Sequence, residues 1–167
     1  NNIAIGFKSL NSNTTGTNNL AIGSPAGLAI TSGSQNIAIG DLSMNSNTTG
    51  NLNLSVGYEA LLTASSTEFN IAIGAQSLRN FNNTNLNTGR NTAIGYQSMM
   101  RSTSGSYNTA LGYQSLDNNT TGNLNVAIGY AAIPNSTTGS NNVGIGYDAM
   151  NNLSSANNNT GVGYQAL

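Results

Sequence analysis

The sequence contains no cysteine, no histidine and no tryptophan, and only two prolines. The lack of cysteine excludes disulfide staples and thiolate metal sites. Without histidine or cysteine the chain lacks the commonest general base and a thiol nucleophile, so we predict no enzymatic activity. Aspartate does not recur as it does in calcium-binding β-rolls, so we predict no metal, and we predict no cofactor. Two of its carboxylates, Glu59 and Asp148, occupy equivalent positions of a repeat described below, but five repeats apart. At strand spacing this is about 24 Å, too far for a glycosidase pair.

Charge is also scarce. Lysine and arginine total four, aspartate and glutamate total five, and charged residues make up 5% of the chain, against about 25% in ordinary domains. No basic patch is available to neutralise phosphates, so nucleic acid is not an expected partner. No apolar run approaches the length of a membrane span, so no membrane insertion is predicted for this segment. The composition suits an extracellular protein, on a cell surface or a virion.

A repeat organises what is present. The motif Asn125–Val126–Ala127–Ile128–Gly129–Tyr130 recurs along the chain with its glycine 17 residues apart, except for one step of 21 residues between Gly74 and Gly95. Each of these glycines has an asparagine four residues before it. A fixed period with one motif per period is typical of a solenoid. The sequence therefore predicts an all-β, parallel β-solenoid of about ten 17-residue coils, with 1–167 as a single array and a piece of a longer fibre.

Each period is predicted to hold two short strands and two turns. Strand side chains alternate, so Val126 and Ile128 lie on one face and Ala127 on the other. We expect the larger apolar side chains, such as Ile71, Ile73 and Leu78, to form the interior. The second strand is predicted to end at Leu78 and its equivalents, and the Thr–Thr–Gly segments are turns.

Two columns of identical residues are predicted to stack from coil to coil. The asparagines can form a ladder of side-chain amides, and the tyrosines that follow the glycines can stack in the same way. The asparagine ladder comprises Asn19, Asn36, Asn53, Asn70, Asn91, Asn108, Asn125 and Asn142.

Burial of about three apolar side chains per coil does not offset the entropy of ordering 17 residues, so further burial between copies is expected. The column opposite Val126 and Ile128 holds only alanine, serine and glycine, which suits close packing of one backbone on another. We therefore predict an inter-chain seam, most simply in a homotrimer, along Ala72, Ala93, Ala110 and Ala127. The alternative is a narrow coil with no room there for larger side chains.

The 21-residue step predicts an insertion loop at 80–86, because insertions in repeat proteins emerge on one face. Phe81 is expected to be displayed there and to serve in any contact with a receptor. Other candidates for surface binding, for example of sugars, are Tyr96, Gln97, Tyr113 and Gln114. The alternative for these tyrosine–glutamine pairs is a stacked ladder without a ligand.

The motif Asn-x-Ala-Ile-Gly-x-x-Ser/Ala-Leu, as in 91–99 and 108–116, resembles the head repeats of trimeric autotransporter adhesins and the repeat arrays of bacteriophage tail fibres. The resemblance covers nearly the whole chain, although the period is longer than that of the adhesin heads. It implies a left-handed parallel β-roll that is trimeric and forms a stalk or head contacting a surface.

The expected function is therefore that of a structural or adhesive fibre segment. It would associate with itself and contact a glycan or protein on a host surface. Two alternatives are a filament subunit that joins end to end, since both ends are uncapped coils, and an ice-binding solenoid, since adjacent threonines such as Thr48–Thr49 and Thr120–Thr121 recur.

Overall fold

The computed structural model describes residues 1–83 and 89–167. In those residues the chain forms one sheet of ten parallel strands whose order in space follows the sequence. The strands are β1 (Ile3–Ile5), β2 (Leu20–Ile22), β3 (Ile37–Ile39), β4 (Leu54–Val56), β5 (Ile71–Ile73), β6 (Thr92–Ile94), β7 (Thr109–Leu111), β8 (Val126–Ile128), β9 (Val143–Ile145) and β10 (Thr160–Val162).

Each strand pairs with the next in the same register, so that Ala110 lies beside Ala127 and Thr109 beside Val126. Equivalent residues of successive coils are therefore neighbours, and nine steps of about 4.8 Å give a stack roughly 43 Å long. The predicted parallel β-solenoid with a 17-residue spacing is confirmed.

The second strand of each coil was predicted wrongly. After the glycine the chain enters a turn that contains two left-handed residues, for example Gln97 with φ 54° and Met99 with φ 53°. The backbone still pairs between coils, since the Met99 N–H donates to the Ser115 carbonyl at 3.0 Å. Left-handed residues turn the chain back within a few positions, which an extended strand could not do in so short a coil.

The motif glycines allow the closest approach of neighbouring coils. Gly112 has φ +137°, and a Cβ built on it would overlap the carbonyl oxygen of Gly129 in the next coil. A side chain is excluded there both by this backbone conformation and by the lack of space.

The interior is lined by the small residues, and the assignment of the two strand faces from sequence was wrong. Ala72 is fully buried, whereas its strand neighbour Ile71 is 37% exposed. The seam predicted at Ala72, Ala93, Ala110 and Ala127 is therefore contradicted, because all four side chains have no exposed surface within a single chain. The narrow coil is the reason. At Gly144, which stands in the same column, an added Cβ would come within 2.5 Å of Ile133.

In eight of the ten coils, one large side chain four residues after the motif glycine fills most of this interior. These residues are Leu10, Met44, Leu61, Leu78, Met99, Leu116, Ile133 and Met150, all of them buried. In the second coil the equivalent position is Gly27, and an added Cβ there would meet the side chains of Ile30 and Leu10. Ile30 is itself buried, so it supplies from a neighbouring turn the bulk that Gly27 lacks.

The first four residues of the insertion predicted at 80–86 belong to the regular coil. Residues Asn80 and Asn82 stack on the following coil through backbone hydrogen bonds to Met100 and Thr103, so 80–83 continue the regular coil. Phe81 is fully buried in the interior rather than displayed. The rest of the predicted loop, 84–86, lies outside the described residues.

Candidate functional surfaces

The asparagine column forms a buried ladder. The side-chain oxygen of Asn91 accepts from the backbone N–H of Asn108 at 3.0 Å and from its side-chain amide at 3.3 Å. The amide of Asn108 also donates to the Gly122 carbonyl at 2.9 Å. The same three kinds of contact recur in most coils, for example around Asn36 and Asn53. Each asparagine thus joins two coils and closes its own coil, which is a structural role.

The tyrosine column is a continuous stack on the surface. Tyr96, Tyr113, Tyr130, Tyr147 and Tyr164 have ring centroids 4.9 to 5.5 Å apart and interplanar angles of 6° to 18°. Sugars bind to aromatic residues mainly through ring faces, and here a neighbouring ring covers the faces of each inner tyrosine. The arrangement of Tyr96 and Tyr113 therefore favours the ladder over sugar stacking.

The glutamines beside them form a second chain of amides. Gln114 donates to Gln97 at 2.8 Å, Gln97 donates to Gln76 at 2.8 Å, and Gln76 donates to the Glu59 carboxylate at 2.9 Å. Arg79 donates to the same carboxylate oxygen at 2.7 Å. The amides of Gln97 and Gln114 are thus largely engaged with each other, and the chain ends on a charged acceptor.

These contacts set the ionisation of Glu59. The Arg79 guanidinium and then the Gln76 amide, as donors to the carboxylate, hold the pKa of Glu59 below its usual value. Asp117 behaves in the opposite way, because burial raises its pKa while the adjacent Arg101 opposes the rise.

We expect Glu59 to make stability depend on pH. Because its folded pKa is lowered, its contribution is present above the unfolded pKa of about 4.3 and is lost as pH falls through the folded pKa. At neutral pH the free energy of unfolding of the native chain should exceed that of Glu59→Gln by less than about 1 kcal/mol. This difference should shrink on acidification. Urea unfolding between pH 7 and pH 2 measures it.

The matched control is Asp117→Asn, because the contribution of Asp117 to stability is expected to change with pH in the opposite direction. A raised folded pKa means that the native Asp117 loses stability as pH rises above the unfolded pKa. If the free energy of unfolding of Glu59→Gln ran parallel to that of the native chain at every pH, the lowered pKa assigned to Glu59 would be contradicted.

The outward side of the strands is apolar. The first and third residues of every strand, which we call the outer strand face, are isoleucine, leucine, valine or threonine. All of them are half-buried or exposed. The face is roughly 43 Å by 10 Å, about 400 Å², which is within the size range of the largest apolar patch on a typical monomer, a patch that is often functional.

A second exposed column borders this face. Leu52, Phe69, Arg90, Tyr107 and Leu124, which we call the central stripe, each precede a ladder asparagine. Together with Ile37, Leu54 and Ile71 of the outer strand face, Leu52 and Phe69 line an open apolar groove. Sequence reasoning missed both surfaces. A usable signal was that threonine replaces isoleucine at the outward position in β6, β7 and β10, whereas the inward position accepts only small residues.

The Thr–Thr pairs that suggested ice binding are partly engaged in hydrogen bonds between coils. The hydroxyl of Thr48 donates to the Ser65 carbonyl at 2.9 Å, and that of Thr120 to the Thr137 carbonyl at 2.8 Å. The first threonine of each pair is therefore engaged with the next coil, which leaves a single exposed column through Thr49 and Thr121. This weighs against a flat array of paired threonines.

Within residues 1–83 and 89–167, no group of three or more acidic, histidine or cysteine side chains is placed to hold a metal ion. The same part of the chain has no helix that could cross a membrane. Comparisons with family models, with curated proteins and with solved structures find no match for this chain.

Proposed function

We propose that this chain is a rigid segment of an extracellular attachment fibre, a stalk or head of a surface adhesin or of a viral tail fibre. In this proposal, copies pack side by side through the outer strand face, most simply as a parallel homotrimer. The observation that carries it is an apolar sheet face that runs along a rod and is left uncovered by the described residues of its own chain. The sequence resemblance to adhesin and tail-fibre repeats points the same way.

The mechanism is mechanical. Every coil repeats the same backbone pairing and the same asparagine contacts, so length can be added without a new core. Packing copies together removes the exposed sheet face from water and adds the burial that each narrow coil lacks. Uncharged polar turns on the other sides keep the assembly hydrated. We place attachment to a host-surface glycan or protein outside the stacked tyrosine faces.

Light scattering of the chain and two charge variants tests the assembly. The native chain should have a molar mass near three times 17.1 kDa. Thr109→Glu/Val126→Glu places two carboxylates per copy on the outer strand face, and burying them unpaired is costly. We expect this variant to be a folded monomer.

The control is Thr121→Glu/Thr138→Glu, which adds the same charge to an exposed turn column and should keep the mass of the native chain. A native chain that remains a monomer at micromolar concentration would contradict side-by-side assembly. Equal dissociation of both variants would show that net charge, rather than the outer strand face, controls assembly.

A further inference from the structure

A fibre built from identical coils has a register problem. Because each coil repeats the outer strand face of the one before, a copy shifted along its neighbour by one coil, about 4.8 Å, makes nearly the same apolar contacts. Coil repetition alone therefore does not define which coil of one copy lies beside which coil of another. A feature that occurs only once along the rod is needed to set the alignment.

The central stripe is such a feature. Its order, Leu52–Phe69–Arg90–Tyr107–Leu124, does not repeat, and all five side chains are exposed. Toward both ends of the rod the same column is polar: Asn18 and Gln35 before it, Asn141 and Asn158 after it. The bulky segment is thus confined to the middle coils and lies beside the outer strand face.

The centre of the stripe is a cation held between two rings. The Arg90 guanidinium lies 4.9 Å from the ring centroid of Phe69 and 5.5 Å from that of Tyr107. Such stacking fixes the guanidinium at one height along the rod. Among the outward positions of this column and of the strand face, all within the described residues, Arg90 is the one charged side chain.

The backbone of the stripe gives a second, independent observation. All nine residues of the column from Asn18 to Asn158 are left-handed, with φ between 55° and 61°. Asparagine adopts this conformation more readily than leucine, phenylalanine, arginine or tyrosine do. Bulky residues therefore occupy five positions where the backbone favours asparagine, whereas the other four positions of the column hold asparagine or glutamine.

We propose that the central stripe is a register key. It docks against a second copy of this chain beside the outer strand face and holds the copies in parallel with equivalent coils at the same height. Slipping by one coil would bring the stripe of one copy out of step with that of its neighbours. It would set the Arg90 cation at a height where the in-register assembly has an aromatic ring. At the ends of the stripe it would leave Leu124 facing Asn141 and Leu52 facing Gln35. This inference rests on the proposed side-by-side assembly and adds the device that aligns it.

Thiol cross-linking tests the register, because the native chain has no cysteine. Thr109→Cys and Val126→Cys lie at the same strand position one coil apart. The two variants are co-expressed with tags of different mass and treated with a short thiol cross-linker. In an in-register assembly we expect Thr109–Thr109 and Val126–Val126 products to exceed the Thr109–Val126 product by about tenfold, which corresponds to about 1.4 kcal/mol against slipping.

The decisive variant is Phe69→Asn/Arg90→Asn/Tyr107→Asn, which gives the middle of the column the residue found at its ends. Its fold should persist, because asparagine already occupies this column at Asn18, Asn141 and Asn158 with φ 59° to 61°. We expect it to assemble with the matched and shifted products equal within about twofold. The control, Thr49→Asn/Thr121→Asn/Thr138→Asn in the turn column, should keep the pattern of the native chain.

The outcomes separate the two proposals. A native chain that does not associate overturns side-by-side assembly and the register key with it. A native chain that assembles with mainly matched products, and an asparagine variant with the same pattern, overturns the register key alone. Predominantly shifted products in the native chain, or an asparagine variant that no longer associates, also overturn it, the latter by showing that the stripe supplies adhesion and not alignment.

Discussion

Ala110→Glu should unfold the rod around its seventh coil, whereas Thr109→Glu one residue earlier should leave the coil folded. Ala110 is fully buried and faces an interior whose free space is taken by one large side chain per coil. A glutamate there would combine overpacking with burial of an unpaired carboxylate, and a cost above about 4 kcal/mol is expected. Thr109 points outward, so within a single chain its replacement keeps the carboxylate in water.

Far-ultraviolet circular dichroism and urea unfolding measure the difference. We expect Thr109→Glu to keep the β signal and a cooperative transition, and Ala110→Glu to lose much of both, since unfolding of one coil removes a pairing partner from each neighbour. If Ala110→Glu remained as stable as Thr109→Glu, the alanine column would not be the interior.

Asn108→Leu should be the second most damaging change. Leucine has a similar size but cannot replace the amide, so the Asn125 N–H, which donates to the Asn108 side chain at 2.9 Å, loses its acceptor. The Gly122 carbonyl loses one of its two donors and keeps the Asn119 amide at 2.9 Å. The buried Asn125 N–H left without a partner costs about 1–3 kcal/mol, and the two hydrogen bonds that the Asn108 amide donates are lost at a net cost of about 1 kcal/mol each. A loss of about 3–5 kcal/mol in the free energy of unfolding is therefore expected.

Asn141→Leu is the matched control, because Asn141 is exposed and left-handed, and leucine occupies the same column at Leu52 and Leu124 with φ 58°. It should lower the free energy of unfolding by only about 1 kcal/mol, the cost of placing leucine in a left-handed conformation that asparagine adopts more readily. Equal effects of the two changes in urea unfolding would contradict a special role for the ladder.

The period, the parallel stacking and the register were predictable because they follow from repetition. Once the motif recurs every 17 residues, Asn91 and Asn108 must lie one above the other in any solenoid. The same reasoning predicts which side chains form columns, whatever conformation the rest of the coil adopts.

Hydrophobicity did not predict which face of each strand lies inside the coil. Isoleucine usually lies inside a domain, but here the coil closes so tightly that only alanine, serine or glycine fits beside Leu116 or Met99. The left-handed residues after each glycine cause this closure, and Gln97 and Met99 carry no sequence mark of that conformation. Phe81 was misplaced for a related reason: the irregular spacing drew attention to it, while its coil continues regularly through Asn83.

The central claim is that the alanine column lies inside a single chain, and not between chains. Ala110→Cys, placed in the monomeric Thr109→Glu/Val126→Glu background, tests it directly by the rate of reaction with a maleimide. Cysteine should fit, since Ser55 is fully buried in the same column. We predict a thiol that stays unreactive in the folded monomer and reacts only after denaturation. A thiol that reacts as soon as the copies separate would contradict this account, because it would place the alanines at the boundary between chains.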